Sequence, residues 1–335
     1  MQDFKSIGKR VAKTIVFFAI LIGILMGVSE KIEQAFIEND NLVHSRNKSI
    51  FRILREPRDS IDVIVVGDSL SYSAISPLEL WKDQGITAYV CGQPGQRIQE
   101  TYHVLETAFA SQSPKLVILE TNTMFRGAME NGLTNLKENL EEWGTHYISV
   151  FRGHDIWKSF VIDKEYPEEN YKGFAFRCAV QPYEKGAYMF ETEQKVQMPD
   201  AVIEYMESII KLCEKNRTKL LLVSTPSPLN YNYSRHNSIA AYAKEHDLEY
   251  LDMNLKLEEV GTDWATDSLD KGDHLNLSGA KKVSQYLGEY LSTRYDLPDR
   301  RNEKRYVGWQ KAEKDYIEKS EAHLKEMNIN EKKAN

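Results

Sequence analysis

Short apolar runs alternate with stretches of helical periodicity through most of the chain. The runs lie at residues 61–66, 86–90, 116–119, 220–223 and 250–251, and helical patterns occupy 99–110, 201–213 and 238–245. Short buried strands that alternate with helices form βαβ units, in which helices cover both faces of a parallel sheet. The pattern therefore predicts an α/β fold, a three-layer sandwich around a mainly parallel sheet.

A longer apolar run at residues 11–28 precedes this body. At about 1.5 Å per residue it would reach about 27 Å, close to the roughly 30 Å hydrocarbon core of a membrane. Basic residues stand before the run or at its start, at Lys5, Lys9, Arg10 and Lys13. The positive-inside rule then keeps the N-terminus in the cytoplasm.

A cleavable signal peptide is the alternative for this run. The sequence that follows it, Ser29-Glu30-Lys31-Ile32, has no small-x-small cleavage site. We therefore expect an uncleaved single-pass anchor in the cell membrane, with the C-terminal body extracytoplasmic.

Composition excludes some classes of function. Charged residues make up 28% of the 335 residues and the net charge is −7, which argues against nucleic acid as a partner, since binding it requires a basic patch. The length suits one large domain, or one and a half, behind the anchor. Cys91, Cys178 and Cys213 are too few for a disulfide framework, and we expect three small buried residues.

The candidate chemistry lies in four short blocks that follow strands or precede a helix. Gly67-Asp68-Ser69-Leu70 follows the first expected strand, and Asp273-His274-Leu275-Asn276 precedes a late helical stretch. Between them lie the loop Gly92-Gln93-Pro94-Gly95 and the strand end Glu120-Thr121-Asn122. A serine becomes a good nucleophile only when an imidazole takes its proton and a carboxylate orients that imidazole. In parallel sheets, ligands bind at the carboxyl ends of the strands, and Ser69, Gly95 and Asn122 each fall just past such an end.

Ser69, Gly95, Asn122 and His274, in this order, resemble the blocks of the SGNH hydrolases, the GDSL-type esterases and acetyltransferases. The resemblance covers about residues 62–291 and implies the SGNH fold, with a flavodoxin-like sheet. It implies that Ser69 is the nucleophile and His274 its base. It also implies an oxyanion hole made of the Ser69 N–H, the Gly95 N–H and the Asn122 amide.

Gly92 is the alternative to Gly95 in this hole. The asparagine that usually stands earlier in the family's glycine block has no clear equivalent here, because Val90 and Cys91 occupy its place. We expect no cofactor and no metal.

The residue that orients His274 is left open between two aspartates. The family's aspartate stands three residues before the histidine, and here that position is Lys271. A one-residue bulge at Lys271–Gly272 would bring Asp270 into place, and Gly272 makes such a bulge easy. Asp273 is the alternative. An acidic cluster is formed by Asp263, Asp267, Asp270 and Asp273. We do not expect it to bind calcium, because its spacing departs from the usual ligand pattern for this ion.

Two segments fall outside the resemblance. Residues 123–199 are rich in aromatic side chains and predict an inserted cap over the site. Its aromatic residues would either stack on sugar rings or form the cap's own core, and Arg152 or Arg177 could meet an anionic polymer. Residues 299–335 predict a charged, solvated helix that packs on the body through an apolar stripe of Trp309, Ala312, Tyr316, Ser320 and Leu324.

These features predict four parts: residues 1–30 as the cytoplasmic N-terminus and anchor, 31–60 as a juxtamembrane segment, 61–298 as the SGNH-like domain with the cap 123–199, and 299–335 as the tail. This layout resembles that of membrane-anchored SGNH proteins that work with membrane-bound O-acyltransferases on envelope polysaccharide. It also resembles that of the D-alanyl transfer protein of teichoic acid synthesis. We therefore predict a serine esterase or acyltransferase acting on acetyl-like esters of a cell-envelope glycopolymer or acylated carbohydrate. The alternative is a non-catalytic glycopolymer-binding or scaffolding module that assists a partner acyltransferase.

Overall fold

A five-stranded parallel sheet organises the part of the chain that the computed structural model describes, residues 2–39, 48–126, 132–152 and 170–334. The strands are β1 (Val63–Val66), β2 (Ala88–Val90), β3 (Leu116–Glu120), β4 (Lys219–Ser224) and β5 (Glu249–Asp252). Their order in the sheet is β2-β1-β3-β4-β5, the flavodoxin-like order. The predicted α/β fold with a parallel sheet is confirmed.

The helices follow the expected alternation with the strands. In chain order they are α1 (Gln2–Glu38), α2 (Lys48–Ile53), α3 (Ser69–Ala74), α4 (Pro77–Gln84), α5 (Ile98–Phe109), α6 (Gly132–Tyr147), α7 (Ser149–Arg152), α8 (Asp200–Lys215), α9 (Tyr233–Glu245), α10 (Leu257–Val260), α11 (Leu277–Arg294) and α12 (Val307–Ala334). Every residue of β1, β2 and β3 is buried. This burial explains why these strands are continuous apolar runs and do not alternate between apolar and polar residues.

The chain divides into two units. One comprises residues 1–52 and 130–167, and within it α1 packs on α7. The Phe36 and Phe51 rings lie 5.1 Å apart, and the Val150 N–H donates to Ser29 Oγ at 3.0 Å. From Ile7 to Glu38, α1 is long and apolar enough to cross a membrane, judged by length and composition.

The second unit comprises residues 53–129 and 168–335 and holds the sheet. Its C-terminal helix α12 packs on α4, where the Trp309 and Trp81 rings lie 5.3 Å apart. Tyr316 of α12 is fully buried, and its ring lies 5.9 Å from those of Tyr171 and Phe176. The apolar stripe of the tail is therefore a buried contact with the body.

Only part of the predicted cap lies in the described ranges. Trp157, Phe160, Tyr166 and the Arg152 side chain fall outside them. Among the described aromatic residues, Tyr183 and Tyr188 pack with Trp264, with ring centroids about 6 Å apart. Like Tyr171 and Phe176, they contribute to the packing of the body. The domain boundaries of the cap and the tail stay predictions.

Candidate active site

Three of the four blocks follow the carboxyl ends of β1, β2 and β3, and the fourth, 273–276, directly precedes α11. β1 ends at Val66, and Gly67 and Asp68 lead directly into α3, whose first residue is Ser69. Asp68 caps this helix, because its Oδ1 accepts the Leu70 N–H at 3.0 Å. The cap fixes the turn that carries the half-buried Ser69.

The structure brings Ser69, His274 and Asp270 together in one hydrogen-bonded chain. His274 Nε2 lies 2.8 Å from Ser69 Oγ, and His274 Nδ1 lies 2.7 Å from Asp270 Oδ2. Asp270 Oδ1 also accepts the backbone N–H of His274 at 2.7 Å. With Nδ1 donating to Asp270, Nε2 has its lone pair available for the serine proton.

The loop before His274 turns at Lys271 and Gly272, the two positions where a bulge was expected for Asp270. Lys271 and Gly272 both have left-handed backbone angles, φ 60° and 93°. Asp273 is farther from the imidazole, with its Oδ2 3.6 Å from His274 Nδ1. Its Oδ1 instead accepts a hydrogen bond from Asn230 Nδ2 at 2.6 Å. Of the two candidates, Asp270 is therefore the one at hydrogen-bond distance.

The predicted oxyanion-hole residues have unequal surroundings. Asn122 Nδ2 donates to Asp68 Oδ2 at 2.7 Å, and Asn122 Oδ1 accepts from an Arg235 Nη atom at 2.9 Å. Gly95 is exposed and left-handed, with φ 60°. Gly92 is buried, and a Cβ there would lie 2.0 Å from Ser71 Oγ. Packing against α3 is thus sufficient reason for glycine at 92, which leaves Gly95 as the better candidate for the hole.

A buried carboxyl group that the sequence analysis missed lies under this site. Glu120 is fully buried at the end of β3, where the Tyr231 hydroxyl donates to its Oε1 at 2.5 Å and the Asn122 N–H donates to its Oε2 at 3.0 Å. Burial raises the pKa of Glu120 to about 8, and the negative charge of Asp68 adds to the shift. Its position at the end of a central strand, just before Asn122, is the one sequence signal that points to it.

Two arginines also escaped the sequence analysis. Arg126 forms an ion pair with the fully buried Asp68, with 2.5 Å between Nε and Oδ2. Arg235 holds Asn122 and also donates to the Asn230 carbonyl at 2.5 Å. Burial lowers the pKa of Arg235, and the charge of Arg126 acts in the same direction.

Arg177, named above as a possible contact for an anionic polymer, is exposed and lies over Tyr72, which belongs to the same helix as Ser69. Its guanidinium carbon lies 5.5 Å from the centroid of the Tyr72 ring. Burial raises the pKa of Tyr72, and hydrogen bonding to Arg177 and Ser69 opposes that shift.

One group of side chains at the site has the composition of a metal site. Asp270, Asp273 and His274 offer ligand atoms within 4.8 Å of one another. Both ring nitrogens of His274 already face Asp270 and Ser69, however, so a metal would have to displace one of these contacts. The expectation that the site needs no metal stays a prediction.

No protein-family model and no curated protein matches the chain. Among solved structures, it is similar to a G-D-S-L family protein from Desulfitobacterium hafniense, at 16% identity and a TM-score of 0.38, over 68% of this chain and 97% of that one. A GDSL-like lipase from Bacteroides thetaiotaomicron is 14% identical, with a TM-score of 0.35 and coverage of 70% and 88%. A lipase/acylhydrolase from Enterococcus faecalis is 12% identical, with a TM-score of 0.35 and coverage of 71% and 99%. These three structures are of lipolytic or acyl-hydrolysing proteins.

Proposed function

We propose that this protein is a membrane-anchored, outward-facing serine esterase or acyltransferase of the SGNH type. Its substrates would be acyl esters, acetyl-like in size, of a cell-envelope glycopolymer. The observation that carries the proposal is the hydrogen-bonded chain from Ser69 Oγ through His274 to Asp270. A serine, an imidazole and a carboxylate in this order activate a hydroxyl for nucleophilic attack, and binding of a polymer alone does not require such activation.

The chain of hydrogen bonds supports a two-step reaction. Ser69 Oγ attacks the acyl carbonyl while His274 Nε2 takes the hydroxyl proton, and Asp270 stabilises the imidazolium. The tetrahedral intermediate then collapses, the ester C–O bond breaks, and His274 returns the proton to the leaving alkoxide. In the second step His274 deprotonates water or a sugar hydroxyl, which attacks the acyl-enzyme carbonyl. The bond from Ser69 Oγ to the acyl carbon then breaks, and His274 returns the proton to Ser69 Oγ. Water as acceptor makes the protein an esterase, and a sugar hydroxyl makes it an acyltransferase.

α1 and its flanks support a location at the cell surface. The helix is long and apolar enough to span a membrane, and basic residues stand at its N-terminal end. A body held outside the membrane would meet envelope polymers and a membrane-bound O-acyltransferase partner. These points support the choice of substrate and partner within the proposal.

Labelling of the full-length protein in detergent with a fluorophosphonate probe tests the proposal, because only an activated serine reacts. We expect one labelled site, absent in Ser69→Ala. Ser73→Ala is a matched control in the same helix and should label like the wild type, because the Ser73 side chain is buried. An unlabelled wild-type protein would contradict the enzyme and favour the glycopolymer-binding module.

A further inference from the structure

Arg126 has unused hydrogen-bond donors beside the candidate nucleophile. Its Nε lies 2.5 Å from Asp68 Oδ2, and its two terminal nitrogens form no hydrogen bond with any described residue. The side chain is 39% exposed, so these nitrogens are accessible to a ligand. One of them lies 4.0 Å from the point that a Cβ on Gly95 would occupy. The free donors therefore lie next to the predicted oxyanion hole.

Arg300, whose guanidinium contacts other side chains of the fold, differs from Arg126 in how this group is used. Arg300 uses both its Nε and one terminal nitrogen on Asp62, each at 2.9 Å, and gives its other terminal nitrogen to Glu303 at 2.9 Å. The planar guanidinium of Arg300 is thus used on all its sides. Arg126 is held on one side only, which leaves the fork of its two terminal nitrogens for another group.

The charges around Asp68 favour an anion. Arg126 pairs with Asp68, and Arg235 holds Asn122, the residue that also contacts Asp68. Glu120 is the other carboxyl group in this cluster, and its raised pKa of about 8 keeps it mostly uncharged near neutral pH. This cluster therefore holds two guanidinium charges and one carboxylate charge, that of Asp68. The remaining acidic groups of the site, Asp270 and Asp273, contact His274 and Asn230.

We propose that Arg126 binds an anionic oxygen group, a phosphate or a carboxylate, that the substrate carries close to its acyl ester. Such groups accept two parallel hydrogen bonds from a guanidinium fork, and bonds of this kind are about twice as strong as neutral ones. The inference rests on the proposed function and narrows it, because the acylated polymer must then be anionic near the site of acylation. Arg235 is a positioning residue here, because its contact with Asn122 orients the amide that holds Asp68.

Ligand-observed NMR titrations with inorganic phosphate and with acetate test this site without any turnover. The full-length protein is held in detergent at constant ionic strength, with chloride making up the difference. We expect saturable binding of at least one anion, weakened about tenfold or more in Arg126→Gln, the loss typical of one charge-assisted contact. Tighter binding of phosphate would indicate a phosphorylated polymer, and tighter binding of acetate a carboxylated one.

Arg294→Gln is the matched control, because it removes the same charge from an exposed guanidinium that pairs with Glu249 at 3.1 Å. It should bind both anions like the wild type. If Arg126→Gln fails to fold because the buried Asp68 charge loses its ionic partner, Asp68→Asn/Arg126→Gln replaces the ion pair by a neutral pair and should show the same loss of anion binding. Equal binding by the wild type and the Arg126 variants, or no saturable binding at all, would overturn the inference. That result would leave fluorophosphonate labelling, and with it the proposed function, unaffected.

Discussion

Gly67 and Glu120 approach so closely that a Cβ on Gly67 would lie 2.6 Å from Glu120 Cβ. Gly67 also has a φ of 149°, which side chains rarely adopt. The turn that presents Ser69 therefore rests directly on the buried carboxyl residue at the end of β3. Ser69 stands only two residues after Gly67, so a change in the volume or charge of this contact should shift the position of the Ser69 side chain.

Gly67→Ala should destabilise the fold by about 1–3 kcal/mol, the usual cost of forcing extra volume into a packed site, with backbone strain in addition. Thermal unfolding in detergent measures the loss, and fluorophosphonate labelling should fall with it because Ser69 moves. Gly261→Ala is the control: Gly261 has a φ of 73°, but a Cβ there would meet nothing within 4 Å. Gly261→Ala should lose only the stability that corresponds to backbone strain at a left-handed position. Equal losses in the two variants would mean that the contact with Glu120 is not tight.

Stability should depend on the ionisation of Glu120. The pKa of this carboxyl group rises from 4.5 to about 8 on folding, because burial and the Asp68 charge disfavour the ionised form. The folded state then binds more protons than the unfolded state between these values. The stability contributed by neutral Glu120 is complete below about pH 4.5 and is lost as the pH rises through about 8. Tyr231, Tyr250 and Arg235 are further titratable groups that interact with Glu120.

Glu120→Gln removes the titration and keeps a side chain of similar shape. Its thermal midpoint, measured between pH 5 and pH 9, should lose the decline expected of the wild type, whatever its absolute value. A decline of equal slope in both proteins would assign the effect to another group.

The fold was predictable because the strands are apolar on both faces. The run at 61–66 contains β1 at Val63–Val66, and the run at 116–119 lacks only the last residue of β3. The predicted run begins two residues before β1. Ile61 is buried there but is not paired with a neighbouring strand, so it is apolar without being part of the sheet. Ser69 and His274 were also predictable, because they stand in recognisable blocks. Their roles stay predictions.

The environment of Glu120, Arg126 and Arg235 was not predictable from local pattern. A polar residue gives no periodic signal of its burial, and the Tyr231 hydroxyl that bonds Glu120 comes from 111 residues later in the chain. Arg126 and Arg235 likewise stand 58 and 167 positions after Asp68 in the sequence. Nothing in the residues around Asp68 indicates that either arginine lies close to it. Only the folded chain brings these groups together.

Membrane topology is testable with a reporter that fluoresces only in the cytoplasm, fused after Asn335. The basic residues before α1 becomes apolar oppose translocation of the N-terminus, so the fusion should stay dark. The same reporter fused before Met1 is the control and should fluoresce. A bright C-terminal fusion would overturn the extracytoplasmic location and the inference of an envelope substrate.

Ser69→Ala and His274→Ala should each abolish turnover of p-nitrophenyl acetate. The double variant should be no worse than either single one, because members of one catalytic unit give strongly non-additive losses. Initial rates of p-nitrophenol release, corrected for the uncatalysed reaction, measure the effect. Losses that multiply in the double variant would show that the two residues act separately, despite the 2.8 Å between Ser69 Oγ and His274 Nε2.

The two aspartates beside His274 should differ sharply. Asp270 Oδ2 lies 2.7 Å from His274 Nδ1, so Asp270→Asn should lower turnover by about 10⁴, the scale on which a triad imidazole loses its orienting charge. Asp273 Oδ2 lies 3.6 Å from the same nitrogen, and Asp273→Asn should cost far less. Both variants keep the size of the side chain, so equal thermal midpoints would separate chemistry from folding. The reverse ranking would assign the orienting role to Asp273, and wild-type rates in both variants would leave a Ser69–His274 dyad that works without a carboxylate.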